Sequence, residues 1–182
     1  GKDDIVQLNL SAKIDGYSPS IGLPVVMGRL EGERRELVQF CLDAHNWTKD
    51  QIKAGVIASD IAKGFYKLYE DAGYKDNYVY GPCHGTGMIE VEAPWCETIS
   101  DYLLKPNMTY QADTFIATDT FGVRWEKGIA VKEGGCEILS PEIPFTCPEL
   151  GFYLIYTGLA PAGYPAGAFE RFARDVTVIV FL

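Results

Sequence analysis

The apolar residues of this sequence change their spacing twice, and that change constrains the fold more than any single motif. From Ile5 to Ser11 they alternate, with Val6, Leu8 and Leu10 facing one way and Gln7, Asn9 and Ser11 the other, the period of an extended strand. From Glu33 they recur at three and four residues, through Leu37, Phe40, Cys41, Ala44 and Trp47, the stripe of an amphipathic helix. This predicts a helix from about 31 to 49. Asp15-Gly16 reads as a turn and Pro24 as an edge position, so the first strand pairs with the stretch around Gly22–Met27 in a hairpin. Ser59-Asp60 reads as the cap of a second helix carrying Ile61, Phe65, Leu68 and Ala72, with Gly73 as its left-handed stop.

After Gly73 the short period returns. Tyr78–Tyr80, Thr86–Glu92, Met108–Ile116 and Val123–Val131 read as strands, divided by Pro94, Pro106-Asn107 and Thr118-Asp119-Thr120. Strands, two helices, then strands give an α+β domain, an antiparallel and strongly curved sheet with helices on one face. Pro141 to Leu182 is different in kind, with half of the chain's ten prolines, no lysine and many aromatics. The expected organisation is therefore a domain over 4–140 and an apolar tail over 141–182 that must dock on the domain or on a partner.

Charge narrows the function. A formal net charge of -9 over 182 residues and a pI near 4.7 do not suit a surface that gathers phosphates, so no nucleic-acid partner is expected. No apolar run approaches a membrane span, the polar start is unlike a signal peptide, and five scattered cysteines read as reduced thiols. The expectation is a cytoplasmic protein with no membrane partner.

His84 stands in Gly81-Pro82-Cys83-His84-Gly85-Thr86-Gly87, where glycines allow close approach of the backbone. Regular alternation after it would put Glu90 and Glu92 on its face, unless a bulge breaks the phase. Two later strands place Gln111 with Asp113, and Arg124 with Glu126. One histidine with two or three carboxylates suits a divalent Mn, Fe, Co or Zn ion, and surface carboxylates paired with lysines are the plain alternative. Cys83 beside His84 is no dyad, because neighbours on a strand point to opposite faces. His45 reads as a solvated or core-edge residue.

In order along the chain, Ile5-Val6-Gln7-Leu8-Asn9-Leu10 with Gly16-Tyr17, Lys53-Ala54-Gly55-Val56, His84-Gly85-Thr86-Gly87 with Glu92-Ala93-Pro94, Leu104-Lys105-Pro106-Asn107-Met108, Gly122-Val123-Arg124-Trp125-Glu126 and Gly135-Cys136-Glu137-Ile138-Leu139-Ser140 resemble the pita-bread superfamily of methionine aminopeptidase, Xaa-Pro aminopeptidase, prolidase and creatinase. The resemblance implies the pita-bread fold, here without the first segment of the full domain, so that the chain is expected to be a fragment of a longer protein. It also implies a hydrolase acting on a C–N bond of a small amino-acid-like or short-peptide substrate, and a homodimer.

The positions that match the family's five metal ligands, two Asp, one His and two Glu, are Asn9, Ser20, His84, Asp113 and Glu126. Two charged ligands are thus neutral here, one Glu is shortened, and a second catalytic His is Val91. The resemblance then implies an altered site with no metal or with one divalent ion on His84, Asp113 and Glu126. His84, Glu126 and Asp113 would be catalytic, and Arg124, Asn9, Ser20 and Glu92 would bind substrate. A metal-dependent Xaa-Pro aminopeptidase or dipeptidase, and a non-catalytic ligand-binding member of the fold, are the alternatives.

Overall fold

A computed structural model describes residues 3–140 and, beyond them, only the backbone of 146–147 and 152–153. The rest of the tail over 141–182 lies outside the described residues. Strands β1 (Ile5–Ser11) and β2 (Ser20–Val26) pair antiparallel in unbroken register from Ile5 opposite Val26 to Ser11 opposite Ser20. At the hairpin tip Asp15 and Gly16 both take positive φ, 51° and 92°, the pair of left-handed residues that a tight two-residue turn requires.

Helix α1 (Gly32–Gln51) runs two residues beyond the stripe read from the sequence and buries Leu37, Val38, Cys41, Leu42, Ala44, His45 and Thr48. Helix α2 (Ala58–Asp71) starts earlier than expected and carries no side-chain cap. Its first amides are satisfied by another segment: Ala58 and Ser59 donate to the carbonyls of Tyr102 and Ser100, at 3.1 and 2.9 Å. Backbone from the 100–104 stretch replaces the hydroxyl or carboxylate that a cap would have supplied. Gly73, with φ 78°, ends the helix as read.

A 3-10 turn (Lys75–Asn77) leads into β3 (Tyr78–Tyr80), β4 (Cys83–Gly85), β5 (Glu92–Trp95), β6 (Thr109–Ala117), β7 (Gly122–Lys132) and β8 (Gly135–Ile138). The expected strand over Thr86–Glu92 is not formed. The register shifts between His84 and Gly85 where β4 meets β5, and residues 86–91 leave the ladder, so the bulge at the glycine-rich start prevails over alternation. The strand order is β5-β4-β6-β7-β2, with β1 outside β2, β3 beside β6 and β8 beside β7. Two short backbone strands, β9 (Thr146–Cys147) and β10 (Phe152–Tyr153), pair with each other, and Tyr153 stands opposite Val26.

The helices cover one face of this sheet. Phe65, Tyr69, Ile116, Val123 and Trp125 pack with the stripe of α1 in one apolar cluster. Ile61, Cys83, Cys96, Tyr110, Ala112 and Ile129 form a second. Each fully buried Leu, Ile or Phe in these clusters contributes on the order of 2 kcal/mol. Cys83 points into this core, away from His84, and the four cysteines with described side chains are free. Among the described residues no helix is long and apolar enough to cross a membrane. Alternation along β4, β6 and β7 sends the remaining side chains, His84, Gln111, Asp113, Arg124 and Glu126, to the face opposite the helices.

Candidate active site

The sheet's register builds the site in rows. Asp113 stands opposite Glu126, Glu126 opposite Gly22, and Gly22 opposite Asn9. One row therefore crosses four strands. A neighbouring row holds His84 opposite Gln111 and Gln111 opposite Gly128. Gly22 is where the first row is tightest: a Cβ there would meet Glu126 Cβ at 2.9 Å and Asn9 Oδ1 at 3.1 Å. Only a residue without a side chain lets those two lie across it.

His84, Asp113 and Glu126 are fully buried. His84 Nδ1 is 2.9 Å from its neighbour's carbonyl, Gly85 O, which makes Nδ1 the donor and turns Nε2 to the carboxylates. Nε2 lies 3.7 Å from Asp113 Oδ2 and 4.0 Å from Glu126 Oε1. The rings of Tyr80 and Trp95 flank the imidazole, each centroid 5.9 Å away. Arg124 grips Asp113 with both prongs, Nε to Oδ1 and Nη2 to Oδ2, each at 2.7 Å. Its Nη2 is also 3.2 Å from Glu126 Oε1 and 3.9 Å from Glu90 Oε1. Ser20 Oγ donates to Glu126 Oε2 at 2.5 Å.

Arg124 is held in turn by Gln7. Pro24, opposite Gln7 on β2, has no N–H to give to the ladder. The Gln7 side chain reaches past it, accepting from Arg124 N at 2.8 Å and donating to Arg124 O at 3.0 Å. A side-chain amide thus supplies the two hydrogen bonds that a strand neighbour would have made.

These surroundings set the charges. Burial, then the negative Asp113, raise the Glu126 carboxyl to about 7, against the hydrogen bond from Ser20 and the charge of Arg124. Burial works against a charged His84, but the close approach of the Asp113 carboxylate, the hydrogen bond to Gly85 O and the charge of Glu126 outweigh it and raise its pKa. Asp113 and Glu126 hold the Arg124 guanidinium charged in spite of its burial. Glu126, raised to about 7, thus faces a histidine whose pKa is raised as well, beside a closed ion pair, an arrangement suited to moving protons.

The structure brings together His84, Asp113, Arg124, Glu126, Ser20 and Asn9, all singled out in the sequence. Glu92 it turns elsewhere: Oε2 accepts from Ile89 N at 3.0 Å and closes the 86–91 loop. Glu90 reaches the cluster instead, because leaving the ladder after Gly85 changes which side chain faces inward. The sequence reading assigns no site role to Gln7 or Gln111, although it places Gln111 with Asp113. Pro24 was the available signal for Gln7, since a donor missing from a strand invites a replacement.

The sequence profile of metallopeptidase family M24 matches residues 1–133. This chain belongs to that family. Among its relatives, an uncharacterized peptidase of Staphylococcus haemolyticus is 30% identical over 140 residues, which are 76% of this chain and 40% of the relative. The Xaa-Pro dipeptidase of Pyrococcus furiosus is 24% identical over the same length and shares. The solved X-Pro aminopeptidase of Thermotoga maritima superposes with a TM-score of 0.72 at 26% identity, covering 77% of this chain and 40% of that one. The solved prolidase of Pyrococcus furiosus gives 0.74 at 24%, covering 78% and 42%. The fold is the pita-bread fold, and the chain spans about two fifths of the length of these relatives.

The residues present do not fit the dinuclear centre that M24 ligand positions imply. A pair of dications about 3.5–4 Å apart needs bridging carboxylates. Here Asn9 and Ser20 are neutral, and both oxygens of Asp113 are taken by Arg124. One cluster among the described residues could hold a single ion: His84, Glu90 and Glu126 each offer a ligand atom within 4.8 Å of the others. It differs from the set expected from the sequence by having Glu90 in place of Asp113. For a tetrahedral ion with bonds of about 2.1 Å these donors would have to draw in to roughly 3.4 Å of one another.

Proposed function

We propose that this M24 member hydrolyses a C–N bond of a small amino-acid-like or short-peptide substrate without a two-metal centre. The observation that carries this reading is the Arg124 fork on Asp113, with Asn9 and Ser20 neutral, which closes the ligand set to a second ion. The similarity to an Xaa-Pro dipeptidase and an X-Pro aminopeptidase supports the substrate class. The work then falls to His84 and Glu126. Their facing atoms, 4.0 Å apart, leave room for one oxygen hydrogen-bonded to both, since two legs of about 2.8 Å at a tetrahedral angle span roughly 4.5 Å. Glu126, with its carboxyl near 7, takes the proton of a water there as the oxygen adds to the substrate carbon. His84, protonated at Nε2, gives a proton to the leaving nitrogen. Ser20 keeps Glu126 turned toward His84. Arg124, outermost of the group, meets a substrate carboxylate.

A second reading, hydrolysis assisted by one divalent cation on His84, Glu90 and Glu126, is favoured by the spacing of those three groups. Metal content of the full-length protein purified without chelators separates the two. None fits the first reading and one equivalent the second, while two equivalents per chain overturn both. Turnover is then assayed on X-Pro dipeptides, creatine-like amidines and N-acyl amino acids. Glu126→Gln should lower it at least about a hundredfold, and an unchanged rate on every substrate overturns the hydrolytic assignment. The unpaired outer edge of β1 among the described strands supports association of two copies, which the mass of the full-length protein in solution tests.

A further inference from the structure

Two thiols meet behind the strand pair that carries His84. His84 stands opposite Trp95 where β4 pairs with β5, and the antiparallel register carries on to Cys83 and Cys96, with Cys96 N donating to Cys83 O at 3.2 Å. Residues hydrogen-bonded in this way have Cα atoms about 5.5 Å apart, inside the span of about 4.4–6.8 Å that a disulfide bridges. Both side chains leave the ladder on the helix face and share one apolar cluster with Ala58, Ile61 and Tyr110. The other cysteines with described side chains have no such counterpart, since Cys41 lies on α1 and Cys136 stands opposite Val131. The nearby Cys96 thiol, and then burial, hold the Cys83 thiol well above its ordinary pKa, so Cys83 is protonated and unreactive while β5 is in place. That strand is the way in. It is four residues long, ends the strand order of the described sheet, and has a register shift beside it, and short edge strands open locally at a small part of the cost of global unfolding.

We infer that Cys83 and Cys96 are a thiol–disulfide switch behind the site, closed by exchange with a small-molecule disulfide. When β5 opens, the Cys96 thiolate attacks one sulfur of the small disulfide, breaks its S–S bond and releases one thiolate. The Cys83 thiolate then attacks the Cys96 sulfur of the mixed disulfide and expels the second. Each thiolate released takes up the proton that a cysteine lost, so the pair is oxidised by two electrons and one small disulfide is reduced to two thiols. Bridging draws the two Cβ atoms to about 3.8 Å, from the roughly 5.5 Å of an unbridged pair. Cys83 adjoins His84 and Cys96 adjoins Trp95, so the tightening acts on two rings whose centroids are 5.9 Å apart, and it holds β5 closed. The bridge stands apart from the hydrolytic reading, whereas its effect on turnover rests on it.

The test treats the full-length protein with oxidised glutathione, then alkylates and digests it without reductant for mass spectrometry. A linked Cys83–Cys96 peptide is expected, parted again by dithiothreitol. Hydrogen exchange at the Cys96 amide should slow about tenfold in the oxidised form. Turnover should fall about threefold or more, through displacement of the His84 ring, and recover on reduction. Cys96→Ser and Cys83→Ala should each abolish all three responses. Recovery of these cysteines unlinked, bound only to glutathione or linked elsewhere overturns the inference, as does a bridge without slower exchange. A bridge that slows exchange and leaves turnover unchanged overturns the control of the site while the hydrolytic reading stands. If neither form turns over any of the test substrates, that reading fails, and linkage with exchange alone decides the switch.

Discussion

Arg124 and Asp113 form a closed two-pronged pair, 2.7 Å at each prong, in which the carboxylate is fully buried and the guanidinium keeps one edge toward solvent. The pair sits at the centre of the site face and fixes what its neighbours can do. Asp113 is spent on the arginine, so the unspent negative charge beside His84 belongs to Glu126 and Glu90.

Breaking the pair from one side should be expensive. Arg124→Met leaves Asp113 buried without its partner and is expected to cost about 3–5 kcal/mol in urea unfolding. Arg124→Lys should recover only part of this, because one ammonium cannot span both oxygens. Equal stability of the Lys variant and wild type would mean that the fork geometry does not matter.

Glu126 should make stability fall as pH rises. Its carboxyl is raised to about 7 in the folded protein, against an ordinary value near 4.5. Between about 4.5 and 7 the folded state therefore binds more protons than the unfolded one, and stability is lost with rising pH through that window. Glu126→Gln should remove the slope and be the more stable form at pH 8, by a few kcal/mol at most. His84, also raised, adds stability that is present below about 6.5 and is lost as pH passes its folded value.

His45 should act in the opposite sense. The sequence reads it as a solvated or core-edge residue, but it is buried with both ring nitrogens unpartnered. Burial first, and then the charges of Lys49 and Lys127, hold it neutral with a pKa well below the ordinary one. The unfolded chain takes up the proton below about 6.5 and the folded one does not, so this residue makes the protein less stable as the solution is acidified. His45→Leu should flatten that acid limb, visible as a smaller difference in urea midpoint between pH 7 and pH 5.5.

Gln7→Ala should loosen Arg124 without touching its side chain. Two hydrogen bonds to one backbone unit are lost, about 2 kcal/mol together. Hydrogen exchange at the Arg124 amide should quicken, with little change at Ile129, whose ladder to β6 and β8 is intact.

Returning charge should return affinity for metal. The double variant Asn9→Asp, Ser20→Asp is expected to bind Mn or Co at least tenfold more tightly than wild type by calorimetry, and to be less stable when metal-free because two carboxylates then face Glu126. No gain in affinity would show that Arg124, and not the lost aspartates, is what keeps the ion out.

Much of this was legible in the sequence because it rests on period. The stripe from Leu37 to Trp47 defined α1, and alternation put Gln111 with Asp113 on β6 and Arg124 with Glu126 on β7, while only the family resemblance joined Asp113 to Glu126 before any register was known. What stayed hidden depends on neighbours distant in sequence. The cap of α2 is made by backbone forty residues away, so Ser59-Asp60 suggested a capping role those residues do not have. Glu90 reaches the site and Glu92 does not because β4 stops at Gly85, a decision made in the pairing with β5. Asp113 reads in the sequence as a metal ligand, and two residues eleven apart on adjacent strands give no sign in sequence that one will grip the other with both prongs.

Gly22 determines which changes this lineage can still make. With Asn9 and Glu126 lying across a bare backbone at about 3 Å from the place a methyl would take, no bulk can be added at that crossing, whereas asparagine and aspartate have the same shape. A charge at position 9 can be introduced with no rearrangement of the sheet, while a single methyl at position 22 would push Asn9 and Glu126 apart and leave every reactive group chemically intact. The crossing at Gly22 therefore tolerates a change of charge at Asn9 and no change of bulk.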